Sequence, residues 1–352
     1  AQKDAATTIH VCGRTDFLTV SGATASVRGL TVKRFCNPAT KGAPIDFSAT
    51  ADGGAIQDVL IEDTSTFSML LNGSSTNILV GFTVTNLTIN SPNWTGVIAG
   101  YSTGVVFNLY RCVGADKWDE YAASPSNGCI KATKVRDFTV KNSYIADNRS
   151  QGLWFDQSNY DVVVANTTIV NTGNTGESSC LFFELSDHVY AINNYVVCPI
   201  ANAIKIAGTS DAYLIGNTIV GGPDVLGVYA DNRSAPTCPV DGVRRLTGTV
   251  AYNGAAVTGT STLFLGQIAA GESITANGQT RIVAAGTPTS DTALTTVTPF
   301  TGSSSGHAAV AQTAVANCAG FSSDRWAAAS PPQLATTTWL TGITLMENNI
   351  IA

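Results

Sequence analysis

The stretch VVVAN, residues 162–166, is one copy of a short β-branched segment that ends in Asn. Equivalent segments recur along the chain: FTVTN (82–86), FTVKN (138–142), YAINN (190–194), YLIGN (213–217) and LMENN (345–349). The four consecutive copies that begin at residues 138, 162, 190 and 213 are spaced by 24, 28 and 23 residues. Similarity at such a period predicts a repeat architecture.

A second set of short strand-like segments lies between these copies: GVIAG, CIKAT, GLWFD, LFFEL, AIKIA and GVYAD. Turn residues separate the segments, and no amphipathic helix pattern intervenes. This arrangement predicts an all-β coil of parallel strands. We expect the recurring Asn residues to form a ladder of stacked side-chain amides at one corner of the coil: Asn142, Asn166, Asn194 and Asn217.

The Asn-ended repeat resembles the right-handed parallel β-helix (solenoid) proteins of the pectin-lyase-like superfamily, over about residues 9–236 and 338–352. The resemblance implies the architecture alone, because such coils carry lyases, hydrolases, phage tailspikes and adhesins without activity.

The Asn repeat is interrupted in residues 246–312, where Thr and Val alternate between Gly turns. This pattern predicts a small antiparallel β-domain inserted into the coil, and it is similar to the short β-modules of phage tail proteins. We therefore expect three regions: a β-helix over 1–240, an inserted small β-domain over 241–320, and a return linker with a final β-helix turn over 321–352.

Composition limits the partners and the compartment. Charged residues make up 12% of the chain, the net charge is −6, and no Lys/Arg cluster suggests a nucleic-acid surface. No apolar run reaches the roughly 18 residues that a membrane span needs. The eight cysteines lack CxxC pairs and predict disulfides in an extracellular, secreted, virion or cell-surface protein. Buried free thiols are the alternative, and the pattern calls for neither a metal site nor a cofactor.

Two near-copies of an aromatic strand, GLWFD (152–156) and LFFEL (181–185), each carry a carboxylate. Since side chains alternate along a strand, inward Leu and Phe leave Trp154 and Asp156 outward in the first copy. The second copy places Phe182 and Glu184 outward in the same way. Alignment of neighbouring turns predicts one outward row beside these carboxylates: Lys131, Trp154, Phe182, Lys205 and Tyr229.

Neighbouring parallel strands lie about 4.8 Å apart, so Asp156 and Glu184 should stand side by side on the surface. A separation of about 5 Å is typical of retaining glycosidases. Like charges this close raise one pKa, which lets an acid and a nucleophile coexist. We expect Glu184, in the more apolar setting, to be the general acid/base and Asp156 the nucleophile. Exposed Trp154 and Phe182 would then offer flat faces to sugar rings.

The same strands resemble the active-site motifs of β-helix glycosidases of the β-xylosidase type, over residues 147–197. In those motifs a strand ending Trp-x-Asp supplies the nucleophile and the Phe-x-Glu of the next turn supplies the acid/base. The resemblance implies these roles for Asp156 and Glu184. The His that follows the Glu by three residues in that family is replaced here by Asp187, with His188 one place later.

Other residues are weaker candidates for contacts with a poly- or oligosaccharide. Lys131 and Lys205 bracket the carboxylates as hydrogen-bond donors, Arg149 precedes GLWFD, and Trp118 belongs to the loop DKWDEY (116–121). Two alternatives stay open. One is a glycan-binding or structural β-helix without activity, with trimeric assembly as an expectation. The other is a polysaccharide lyase with Lys131 or Lys205 as base and an acidic sugar held by Ca²⁺.

Overall fold

The computed structural model of the chain describes residues 8–9, 16–36, 42–74, 77–116, 127–157, 159–173, 178–222, 224–229, 244–268, 270–312 and 343–351. Within them the chain forms two compact units. The first comprises Ala1–Ser74, Leu79–Ala235 and Thr337–Ala352, and the second comprises Ser75–Ile78 and Pro236–Thr336.

The first unit is a coil of short parallel strands that belong to one continuous 25-stranded sheet. In chain order its strands before the insertion are β1 (Thr8–Ile9), β2 (Leu18–Val20), β3 (Ser26–Arg28), β4 (Thr31–Lys33), β5 (Ile45–Ser48), β6 (Ala55–Glu62), β7 (Met69–Asn72), β8 (Leu79–Val80), β9 (Thr83–Asn90), β10 (Thr95–Asn108), β11 (Arg111–Val113), β12 (Gly128–Lys141), β13 (Tyr144–Ala146), β14 (Gln151–Asp156), β15 (Tyr160–Ala165), β16 (Thr168–Val170), β17 (Ser179–Glu184), β18 (Asp187–Ile192), β19 (Tyr195–Cys198), β20 (Asn202–Ala207), β21 (Ser210–Ile215), β22 (Thr218–Gly221) and β23 (Leu226–Tyr229).

The second unit carries two antiparallel four-stranded sheets and one short helix. Its elements are β24 (Arg244–Arg245), β25 (Thr249–Asn253), β26 (Ala256–Thr260), α1 (Phe264–Gln267), β27 (Ser273–Ala276), β28 (Gln279–Ile282), β29 (Ala293–Thr295), β30 (Ser303–His307) and β31 (Ala309–Gln312). Its own apolar core includes Leu246, Phe264 and Ile274. No helix among the described residues is long and apolar enough to cross a membrane.

The coil resumes after this insertion with β32 (Ile343–Glu347) and β33 (Ile350–Ile351). They pair in parallel with β21 and β22, strands that lie before the insertion and more than 120 positions earlier in the sequence than β32 and β33. The predicted fold class, an all-β parallel β-helix with an inserted antiparallel β-domain, is therefore confirmed.

Alternation along each strand builds the interior of the coil. On the sheet that contains β12, β14, β17 and β20, the inward positions form fully buried columns from one turn to the next. Phe155 and Phe183, for example, stack with their ring centroids 5.6 Å apart. Each such side chain contributes about 1.5–3 kcal/mol by leaving water, so the in-register pairing of neighbouring turns and the apolar core stabilise one another.

Buried amides do stack at one corner of the coil, as predicted, in three successive turns. The Asn217 Oδ1 accepts hydrogen bonds from the backbone N–H and the Nδ2 of Asn194, at 2.9 and 3.0 Å. The Asn349 Oδ1 accepts the corresponding two bonds from Asn217, at 2.8 and 2.9 Å. These amides satisfy backbone groups that water cannot reach.

Asn142 and Asn166, in contrast, do not belong to this ladder, and the prediction was wrong for both. They are exposed and lie one position earlier in their turns, with φ of 52° and 50°. Ser143 and Thr167 take the buried position after them. At this corner a residue with a left-handed backbone conformation is followed by a buried polar residue. Asn is suited to both positions, so the sequence alone does not show which of them an Asn occupies.

Disulfides link strands of the coil that do not pair with each other in the sheet: β11 with β12, and β17 with β19. Cys112 is bonded to Cys129, and Cys180 to Cys198. Cys36 is disulfide-bonded as well. The prediction of disulfides is confirmed for these cysteines.

We predict that Asn217→Ala destabilises the coil by about 2–4 kcal/mol, because it strips buried partners from Asn194 and from the carbonyl of Ala191. Urea unfolding followed by circular dichroism measures the change. The matched variant Asn166→Gly should stay within about 0.5 kcal/mol of the wild type, since glycine adopts positive φ freely. Equal losses in the two variants would contradict the ladder.

Candidate functional site

The two carboxylates lie side by side on the outer wall of the coil. Strands β14 and β17 pair so that Asp156 is opposite Glu184 and Trp154 is opposite Phe182. Strand spacing sets these partners about 4.8 Å apart along the coil axis. The register that the sequence predicts for these four residues is confirmed.

The chain turns immediately after each carboxylate. Gln157 and Leu185 adopt positive φ, of 59° and 46°, directly after β14 and β17. Below the turn, Asn159 Nδ2 donates to Ser186 Oγ at 3.0 Å, and the backbone N–H of Ser186 donates to Thr209 Oγ1 at 3.2 Å. This buried column of polar side chains links the corners of three successive turns of the coil. Both carboxylates therefore project from rigid strand ends.

A row of cations and aromatic rings runs beside the carboxylates. Lys131 Nζ lies 3.4 Å from the centroid of the Trp154 ring, and Trp154 stacks on Phe182 at 5.7 Å with an interplanar angle of 12°. On the far side, Lys205 Nζ lies 4.7 Å from the Phe182 ring. In-register pairing therefore turns four outward side chains into one cation–aromatic stack.

The register of Tyr229 differs from the prediction by two residues. Lys205 pairs with Gly227, and Tyr229 lies two positions farther along β23. The physical reason is Leu226, which packs against the core at the inward position where the predicted alignment had placed Val228.

The ring of Tyr229 nevertheless reaches the predicted row, because Gly227 leaves its place empty. A Cβ added at Gly227 would overlap the Tyr229 ring, and Lys205 Nζ lies 5.3 Å from that ring. The Tyr229 hydroxyl donates to Asp224 Oδ2 at 3.2 Å. Partial burial and the Asp224 carboxylate raise the pKa of Tyr229. With 38% of its surface exposed, Tyr229 is the most accessible aromatic side chain of the row.

Each carboxylate has a donor of its own. Lys131 Nζ forms an ion pair with Asp156 Oδ2 at 2.9 Å, with both side chains largely buried. Trp154 Nε1 donates to Glu184 Oε2 at 2.8 Å. Asp156 thus accepts from a cation, and Glu184, which is only half-buried, accepts from a neutral indole N–H.

The predicted exposure of the site was wrong. Asp156 is 6% exposed, Trp154 9%, Phe182 4% and Lys131 7%. The aromatic faces are turned along the coil axis and covered by Lys131 and by each other, so they do not form an open platform for sugars. Alternation along a strand predicts whether a side chain projects into or out of the coil. It does not predict how far residues of neighbouring turns bury that side chain.

The remaining candidates lie apart from the carboxylates. Arg149 is exposed and precedes β14, at the end of the strand opposite Asp156. His188 lies on β18, beyond the turn after Glu184, where its ring is 4.6 Å from that of Tyr160. Trp118 lies outside the described residues. Within the parts of the chain that the structure describes, no group of three or more His, Cys, Asp or Glu side chains is suited to hold a metal ion.

A second acidic position lies on the same wall, at the start of the coil. Asp46 belongs to β5 and accepts a hydrogen bond from Asn72 Nδ2 at 2.9 Å. Burial raises the pKa of Asp46 to about 6, the Asp16 carboxylate adds to the rise, and the Asn72 bond opposes it. Sequence reasoning missed this site because the outward positions of β5, Asp46 and Ser48, include no aromatic side chain.

Comparison with known proteins finds similar solved structures but no family. No protein-family model matches the chain, and no curated protein does. It is similar to the periplasmic alginate epimerase AlgG, with a TM-score of 0.42 and 11% identity over 57% of this chain and 49% of that one. The GH136 lacto-N-biosidase from Eubacterium ramulus has a TM-score of 0.42 and 9% identity, over 60% and 42%. PfbA, a surface adhesin of Streptococcus pneumoniae, has a TM-score of 0.39 and 9% identity, over 61% of both chains.

The chain thus spans 49% and 42% of the length of the first two structures. Similarity at this level concerns the fold alone.

We predict that Lys131→Met destabilises the coil by about 3–5 kcal/mol, because it leaves the Asp156 charge buried without its cation. The double variant Lys131→Met/Asp156→Leu should recover most of that loss. Urea unfolding of the wild type, both single variants and the double variant measures the coupling. A loss below 1 kcal/mol in Lys131→Met would show that solvent already stabilises Asp156.

Stability should also depend on Asp46. Its folded-state pKa of about 6 exceeds the ordinary value of 3.8. The folded state therefore holds this proton more tightly than the unfolded chain does, a stabilisation present below pH 4 and lost as the pH rises through about 6. Asp46→Asn should raise the unfolding temperature at pH 8 but not at pH 4. Asp147→Asn, at an exposed turn, is the control and should show no such difference.

Proposed function

We propose that the chain is a carbohydrate-active β-helix protein that cleaves a poly- or oligosaccharide as a retaining glycoside hydrolase. The observation that carries the proposal is the in-register pairing of Asp156 with Glu184 on neighbouring turns. The strand spacing of about 4.8 Å supports a carboxylate separation near 5 Å, which would suit a nucleophile and an acid/base. It leaves no room for the water that an inverting mechanism places between its two carboxylates.

The contacts support a division of roles. The Lys131 ammonium contacts Asp156 Oδ2 at 2.9 Å and holds the nucleophile in place on its strand. Asp156 attacks the anomeric carbon while Glu184 gives its proton to the leaving-group oxygen, and a glycosyl ester forms on Asp156. Glu184, now a carboxylate, then takes a proton from water, whose oxygen displaces Asp156 and regenerates both acids.

The ion pair disfavours a lyase that uses Lys131 as base. A base must be neutral to accept a proton, and the Asp156 carboxylate stabilises the protonated ammonium. Lys205 Nζ lies between the Phe182 and Tyr229 rings, 4.7 and 5.3 Å from their centroids.

Burial favours a second candidate function, a glycan-binding or structural β-helix without activity. Asp156 is 6% exposed and its Oδ1 atom is buried, so a sugar reaches it only if the covering side chains part on binding. In this alternative the row of Lys131, Trp154 and Phe182 stabilises the outer wall of the coil. The exposed side chain of Tyr229 then contacts the glycan. Trimeric assembly belongs to this alternative as a proposal.

Disulfide bonding of Cys112 with Cys129 and of Cys180 with Cys198 supports action outside the cytosol, in secreted form or on a virion or cell surface.

We predict that Asp156→Asn removes hydrolysis of every glycoside that the wild type cleaves. Glu184→Gln should slow substrates with poor leaving groups by about 10²–10⁴-fold. It should slow dinitrophenyl glycosides far less, because that leaving group departs without protonation. The measurement is a panel of glycans and aryl glycosides, with the anomer first released determined by NMR. Glu62→Gln, at another Lys-paired carboxylate of the coil, is the matched control and should retain full activity.

A retained anomer supports the mechanism, and an inverted one contradicts it. Equal activity of the wild type, Asp156→Asn and Glu184→Gln would remove both residues from the reaction. Glycan binding without turnover in any variant would favour the second candidate function.

A further inference from the structure

Trp154 connects the two carboxylates, a contact that the sequence pattern did not predict. Its indole Nε1 donates to Glu184 Oε2 at 2.8 Å. Its ring face carries Lys131 Nζ at 3.4 Å, and the same ammonium bonds Asp156 Oδ2 at 2.9 Å. One buried network therefore runs from Asp156 through Lys131 and Trp154 to Glu184.

The chemistry of the indole makes this contact directional. Indole N–H is a donor and never an acceptor. Glu184 Oε2 must therefore present a lone pair to Trp154 both when the carboxyl group is ionised and when it is protonated. A carbonyl oxygen is a stronger acceptor than a hydroxyl oxygen, so the contact favours placing the proton of the acid form on Oε1, the oxygen that the indole does not bind.

We propose that Trp154 is a positioning residue that fixes the orientation of Glu184 and confines its transferable proton to Oε1. This inference rests on the proposed function, since it assigns a geometry to the acid/base of that reaction. It replaces the expected role of Trp154 as a sugar platform with a role inside the wall of the coil.

The placement of Trp154 suits this task. Glu184 lies diagonally across the paired strands, two residues beyond the direct partner Phe182, a distance of about 7–8 Å that a long aromatic side chain spans. Stacking on Phe182 at 12° and burial to 9% exposure restrict the indole to one orientation. The cation on its face also polarises the N–H and strengthens it as a donor.

Several other charges surround Glu184 and must stay constant in a test. Asp156 pairs with it on β14, with Lys131 beyond. On the opposite side β20 offers neutral Ala207 and, in the adjacent row, Lys205. Tyr229 on β23, with Asp224 at its hydroxyl, follows one turn later. None of these groups changes when Trp154 alone is replaced.

We predict that Trp154→Phe raises the pKa of Glu184 by about one unit, because the ionised carboxylate loses a hydrogen bond. Carbon-13 NMR of labelled Glu side chains measures this titration directly, without a substrate. Replacement of Trp154 by benzothienylalanine keeps the ring area and removes only the N–H, so it should give the same shift even if Trp154→Phe perturbs packing. In the hydrolase assay, kcat should fall about tenfold with KM within twofold, and the alkaline limb of the pH profile should move up by about one unit.

Phe182→Leu is the matched control. It shrinks the same stack but keeps the indole N–H, so the pKa of Glu184 should stay within about 0.3 units of the wild-type value. An unchanged Glu184 titration in both Trp154 variants overturns the inference, and so does an equal shift in Phe182→Leu. Failure of the proposed hydrolase function would give a different result, because Asp156→Asn and Glu184→Gln would then match the wild type in the glycoside assay. The NMR titration would still decide whether Trp154 controls the pKa of Glu184.

Discussion

Parallel in-register pairing of successive turns is the constraint on which this structure depends. It places each side chain about 4.8 Å from its counterpart in the next turn, so every row must consist of residues that tolerate a close copy of their own kind. Inside the coil, stacked Phe155 and Phe183 meet this demand by excluding water. At the corner, Asn194 and Asn217 meet it because an amide donates and accepts at once.

Charged groups meet the same constraint only with help. Asp156 and Glu184 stand opposite each other on paired strands, where like charges repel. Lys131 balances the first and the Trp154 N–H stabilises the second, while the ammonium and the indole also stack on each other. The carboxylates and their donors therefore form one connected set of contacts on this wall of the coil.

The sequence predicts those features that follow from period and alternation. The Asn-ended repeat predicted the coil, and alternation around GLWFD and LFFEL predicted the opposition of Asp156 and Glu184. Prediction from the sequence failed where a side chain bends out of its own row, or where residues of another turn bury it. Tyr229 folds back over Gly227, which no alternation rule describes. Asn166 occupies the position of its corner that has a left-handed backbone conformation, whereas Asn194 occupies the buried position that follows. Residue type alone does not distinguish these two positions.

Asp156 is buried and Glu184 is only half-buried, and this difference affects how each could act on a substrate. An acid/base needs only to touch the leaving-group oxygen, and Glu184 is exposed enough for that contact. A nucleophile must meet the anomeric carbon, and Asp156 is covered by the wall that it stabilises. Desolvation also strengthens the Lys131 pair, since an ion pair in a dry site is screened less than one in water. A sugar that displaces the covering side chains would thus meet a carboxylate that is already paired with Lys131 and shielded from water. The burial that argues for a structural role would therefore also favour reaction at Asp156 once it is uncovered.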